Sequence, residues 1–126
     1  MPATYHTQAA PAAIGPYSQA VRTGNLLFLS GQIAIVPDSG EIEAQDITGQ
    51  SEQVMHNIQA ILQAAGLEFK DVVKTSCFLA DISDFTAFNE VYARYFTGKP
   101  ARSCFAVAAL PKSARIEVEV IAQFQD

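Results

Sequence analysis

Apolar positions along this chain fall into two rhythms. Ile47, Val54, Ile58, Ile61, Leu62 and Ala65 recur at the spacing of one helical face. Asp46 is suited to cap that helix and Gly66 to stop it, which predicts a helix from Asp46 to about Ala65. Phe85, Phe88, Tyr92, Tyr95 and Phe96 form a second, aromatic helical stripe, with Ser83 as its N-cap and Gly98 and Pro100 as its end. Elsewhere the period is two. Ile116, Val118, Val120 and Phe124 alternate with Glu117, Glu119, Ile121 and Gln123, the pattern of a strand with one apolar face.

Shorter runs supply the other strands. Residues 3–7, 17–23, 26–30 and 71–80 read as strands, the middle pair joined at Thr23-Gly24-Asn25. Leu26 to Leu29 is unbroken apolar sequence, which predicts a strand covered on both faces. Residues 100–121 read as two strands joined by a tight turn at Leu110-Pro111-Lys112-Ser113. Residues 9–16 are too rich in Pro and Gly for a helix or central strand and form an ordered loop or a linker, and residues 37–43 form a surface turn. The order β-β-β-α-β-α-β-β predicts an α+β fold: a single mixed sheet of about six strands, with two helices on one face. The other face then needs a partner.

Composition narrows the classes. The 126 residues suit one domain, 1–126. Apolar residues are 49% and charged ones 17%, which points to apolar surface shared between subunits. A net charge of −5 without a Lys/Arg cluster argues against a nucleic-acid partner. No apolar run is long enough for a membrane span, and the N-terminus lacks the pattern of a signal peptide, so a cytoplasmic protein is expected. Cys77 and Cys104 fit no metal spacing, and His6 and His56 lie far apart in sequence; no metal or organic cofactor is expected, and His56 is expected to face solvent.

Candidate chemistry gathers near the C-terminus. Arg102 enters the first strand of residues 100–121 and Glu117 the second, so a hairpin or neighbouring strands could bring them together. An arginine fork suits a carboxylate, and a held glutamate can orient water or move a proton. From spacing alone, a structural ion pair or two unrelated strand-end charges facing water is the commoner explanation of the same residues. Ser30-Gly31 follows an apolar strand, as a close approach of backbone to a ligand or to another strand requires. Asn89 lies beside the aromatic stripe, where it could face a cleft. A nucleophilic role for Cys104 would need an activating base, and no histidine lies near it in sequence.

Three separated motifs carry a family resemblance that runs from about residue 8 to the C-terminus. A-P-A-A-I-G-P-Y-S-Q-A at 10–20, L-S-G-Q-I at 29–33 and P-A-R-S-C-x-x-V-A-x-L-P-x(4)-I-E-V from Pro100 resemble, in order, the motifs of the Rid family (RidA/YjgF, reactive intermediate deaminases). The resemblance implies a chorismate-mutase-like homotrimer with sites between subunits. It implies hydrolysis of reactive 2-enamino and 2-imino acids, such as 2-aminoacrylate, to 2-keto acids and ammonia. Arg102 would hold the substrate carboxylate and Glu117 would orient water, while backbone at Gly31 and Cys104, with Tyr17, Ser30 and Asn89, would complete the pocket. Two departures stand out: the short connection Thr97-Gly98-Lys99-Pro100, and Ala106 where many members carry an acid or amide. A non-catalytic trimeric module binding a small molecule or a protein, and an endoribonuclease that inhibits translation, are the alternatives.

Overall fold

The computed structural model describes residues 2–125. Its strands are β1 (Ala3–Tyr5), β2 (Ala20–Thr23), β3 (Leu26–Gln32), β4 (Ile35–Val36), β5 (Glu41–Ile42), β6 (Val72–Leu79), β7 (Ala101–Ala106) and β8 (Ile116–Gln123). The two α-helices are α1 (Ile47–Ala64) and α2 (Phe85–Tyr95). Six strands form one sheet in the order β1-β2-β3-β8-β6-β7, and β4 and β5 make a small separate hairpin. Only β6 and β7 run parallel in the large sheet, so it is mixed.

The expected elements are present, with shifted ends. Asp46 caps α1, its carboxylate accepting from the Gly49 N–H at 3.3 Å. Gly66 adopts φ +77°, the left-handed conformation that closes a helix. The cap of the second helix differs from expectation. Ser83 is not its N-cap; it lies inside a 3-10 turn, Ile82–Asp84, capped by Asp81, whose side chain accepts from the Ser83 N–H. Asp81 Oδ1 accepts from both the N–H and the hydroxyl of Ser83, so the Ser83 side chain is engaged backward, and Asp84 stands at the start of α2 without a side-chain cap bond. His56 is exposed on α1, as expected.

Both helices cover one sheet face. Leu27, Leu29, Cys77, Val118 and Val120 are buried there together with Val54, Ile58 and Ile61 of α1 and Phe88 and Val91 of α2. The opposite face is bare. Phe28 is 41% and Phe105 is 49% exposed, so Leu26 to Leu29 is not covered on both faces; Leu27 and Leu29 are buried and Phe28 between them is not. The apolar run misleads because Phe28 belongs to the open face.

The sheet order separates two strands expected to touch. The turn after Leu110 does not make β7 and β8 neighbours, because β6 lies between them. A strand-helix-strand unit returns its second strand parallel to the first. α2 therefore carries the chain from β6 to β7, and β8 takes the other side of β6.

The Pro-rich segment is an ordered loop. Its carbonyls need donors, and the buried Gln19 side chain supplies them. Gln19 Nε2 donates to the carbonyls of Thr7 (3.1 Å), Ala10 (3.4 Å) and Pro11 (2.7 Å), while Gln19 Oε1 accepts from the Thr7 N–H at 2.7 Å. Gln19→Ala is expected to cost about 1–3 kcal/mol and to free the loop. Hydrogen exchange would read this as faster exchange at Thr7; unchanged protection there would refute it.

Candidate active site

The expected site residues form two clusters. The first surrounds Glu117. The pairing of β3 with β8 shifts register between Leu29 and Gln32, so β3 bulges opposite Glu119. The bulge brings Gly31 over the Glu117 side chain. A β-carbon placed on Gly31 would overlap the Glu117 carboxylate, although the Gly31 backbone itself has no positive φ. Tyr17, Ser30, Gly31, Pro111 and Glu117 line a cavity of about 270 Å³. Ser30 Oγ donates to the Ser18 carbonyl at 2.6 Å, which uses its proton and leaves the hydroxyl oxygen able to accept.

Glu117 is half-buried and takes part in no ion pair among the described residues. Burial raises its pKa above the ordinary glutamate value, and the neighbouring Glu119 charge raises it further. Such a carboxylate can take and return a proton nearer neutral pH than a free one. Gly31→Ala tests the close approach. The displaced atoms are the flexible end of a glutamate, so the fold is expected to survive while the carboxylate swings away. Thermal melting should change by no more than about 3 °C. A pH titration of Glu117 followed by carbon NMR should move toward the ordinary value; an unmoved titration would show that the overlap is relieved elsewhere.

The second cluster surrounds Arg102 on β7. Arg102 Nη1 donates to Asn89 Oδ1 of α2 at 2.6 Å. Its guanidinium lies 4.6 Å from the Tyr92 ring centroid and 5.5 Å from that of Phe85. Asn89, Tyr92, Lys99 and Arg102 help to line a cleft of about 720 Å³, and none of its lining residues is acidic. Among the described residues, no carboxylate lies within ion-pair distance of Arg102. Cys104 sits two residues along β7, opposite Cys77 of β6, and both are free thiols. Burial pushes the Cys77 thiol up to about 12 and raises Cys104 as well. Both stay protonated at neutral pH, which argues against nucleophilic Cys104.

The structure brings Tyr17, Ser30, Gly31 and Glu117 together, and Arg102, Asn89 and Cys104 together, but it does not join the groups within one protomer. Arg102 is opposite Thr75, which points to the helices, and Glu117 is opposite Phe78 on the open face. Two strand spacings of about 4.8 Å, three positions along β6 and the sheet itself intervene. Sequence reasoning missed Gln19, whose signal was a Pro-rich loop full of carbonyls that needed a donor. Among the described residues no group of three or more His, Cys, Asp and Glu could hold a metal, and no helix is long and apolar enough to cross a membrane.

The family model described as Endoribonuclease L-PSP matches residues 7–124, and the chain belongs to that family, the YjgF/RidA family. Among its relatives, Reactive Intermediate Deaminase A, chloroplastic, of Arabidopsis thaliana is 50% identical over 117 residues; the match covers 92% of this chain and 63% of that longer protein. The 2-iminobutanoate/2-iminopropanoate deaminase of Mus musculus is 47% identical over 92% of this chain and 87% of its own length. The crystal structure of E. coli TdcF with bound serine superposes with a TM-score of 0.92 at 43% identity, covering 98% of this chain and 99% of that one.

Proposed function

We propose that this protein hydrolyses short 2-imino acids and their enamine tautomers to 2-keto acids and ammonia. The observation that carries the proposal is Glu117: a half-buried carboxylate with a raised pKa that faces a small cavity. A raised carboxylate is suited to take a proton from water as the water oxygen bonds to the imine carbon, and to return it to nitrogen. The carbinolamine then collapses: its hydroxyl proton passes to the amino nitrogen, the C–N bond breaks, ammonia leaves, and the C=O bond of the keto acid forms. Arg102, with no acidic partner among the described residues, is free to hold the substrate carboxylate. Tyr17, Ser30 and the backbone at Gly31 would confine the reacting end, with Cys104 backbone on the edge strand β7 completing the wall.

Since the half-sites lie on opposite sheet faces, the proposal needs Arg102 of one copy beside Glu117 of another. A homotrimer built on the open face would provide this. The names of the Arabidopsis and mouse relatives support the reaction class, and serine bound to the E. coli neighbour supports a small amino-acid-like guest. RNA cleavage, which the family description names, is the second reading; a net charge of −5 weakens it.

The test follows imine absorbance while a serine or threonine dehydratase releases the imine, with and without this protein. Faster decay is expected. Decay equal to the uncatalysed rate would sink the deaminase proposal, and titration with pyruvate would then test a binding module.

A further inference from the structure

Arg102 is an exposed side chain on an edge strand, where an arginine ordinarily samples many rotamers. Here it is held on three sides. Asn89 accepts from Nη1, and the rings of Tyr92 and Phe85 lie beneath the guanidinium. Tyr92 is itself fixed from below. Its hydroxyl lies 2.8 Å from Oγ1 of Thr75, which is fully buried on β6. Thr75 is also the residue directly opposite Arg102 in the β6–β7 register. The ring is also packed against Phe88 and Phe96, with centroids 5.7 and 4.4 Å away, so its place under the guanidinium is set by the core as well as by the hydroxyl.

We propose that Tyr92 is a positioning residue for the substrate-carboxylate clamp, its ring face holding the Arg102 guanidinium in one orientation while Asn89 sets the rotation. The inference deepens the deaminase reading and rests on it for the identity of the carboxylate. Asn89 and Tyr92 stand three residues apart on α2, so one helix face presents both. Burial raises the Tyr92 phenol pKa, so the ring stays neutral and attracts the cation through its π face. Asn89 spends its carbonyl oxygen on Arg102, which makes it a tether for the arginine. One of the five guanidinium N–H groups is used, and four remain for substrate. A fixed fork loses less freedom when a carboxylate docks, and that gain appears in substrate affinity.

The alternative is plain packing, in which the arginine stem merely roofs the aromatic stripe. Tyr92→Leu and Tyr92→Phe separate the two, because leucine fills the core without a π face and phenylalanine keeps the ring. Two readouts are used on the intact protein: the NMR signal of the Arg102 Nε–Hε group, assigned with Arg102→Lys, and KM for 2-iminopropanoate generated from alanine by an amino-acid oxidase.

The parent should give one slowly exchanging, ring-shifted Nε–Hε signal. Tyr92→Leu should average it and raise KM about ten-fold with a much smaller change in kcat, and Tyr92→Phe should restore both. An Arg102 signal as averaged in the parent as in Tyr92→Leu overturns the inference, and so does an unchanged KM in Tyr92→Leu. If the parent leaves the imine at its uncatalysed rate, the deaminase reading falls. Pyruvate titration then carries the same comparison, and equal dissociation constants for parent and Tyr92→Leu overturn the inference.

Discussion

Arg102→Ala is expected to lower kcat/KM for 2-iminopropanoate by about 10²–10³-fold with the fold intact. On the proposed mechanism the guanidinium neutralises the substrate carboxylate, and the acid-free cleft offers only the exposed Lys99 as a second cation. The structural cost is small because Arg102 is exposed and forms no ion pair among the described residues. Its removal frees Asn89 Oδ1, which is close enough to the surface to find water. The melting temperature should stay within about 3 °C of the parent. Imine decay and a thermal melt on the same preparation check both halves. Parent-like turnover would remove Arg102 from the carboxylate-holding role.

Glu117→Gln should also lower turnover strongly, but unlike Arg102→Ala it should raise stability. Loss of the proton acceptor should lower kcat by about 10²–10⁴-fold. The folded-state pKa of Glu117 is raised, chiefly by burial and further by Glu119. A raised carboxyl contributes stability that is fully present below its unfolded pKa, about 4.3, and is lost as pH rises through the folded value. At neutral pH the ionised carboxylate is therefore a burden on the fold that glutamine lacks. Glu117→Gln should melt above the parent at pH 7, and the gap should close below about pH 4. The parent's kcat/KM should also fall on the acid side as Glu117 protonates. A variant that melts below the parent at pH 7 would show that the carboxylate stabilises the fold.

How far the sequence foretells this protein depends on the range of the interaction concerned. The α1 stripe, the Asp46 cap and the alternation in β8 are local, and each was legible from a few residues. The place of β6 between β7 and β8 was not, since it depends on pairing across the chain; the tight turn after Leu110 suggested a hairpin instead. The parallel unit β6-α2-β7 was the overlooked clue, because a helix between strands carries the second strand alongside the first. Arg102, Glu117, Gly31, Ser30, Tyr17, Asn89 and Cys104 were named from motifs, but their division between two sheet faces needed the register. The Gly31 contact shows the same limit. Sequence can flag a glycine that something approaches, and only the fold shows that Glu117 is what approaches it.

The bare sheet face also bears on the life of the newly made chain. A single copy shows water Phe28 and Phe105 on that face and an unpaired backbone edge at β7. That combination is the template on which strands of different molecules join nonspecifically. Charges interrupt it: Glu119 stands exposed in the middle of the face, and Lys74 reaches across to Ser103 beside the edge. Interspersed charges of this kind discourage nonspecific strand pairing while such a surface is uncovered. On the proposed trimer the same sheet would have to resist nonspecific pairing alone and still associate specifically, and its few interspersed charges would set that balance.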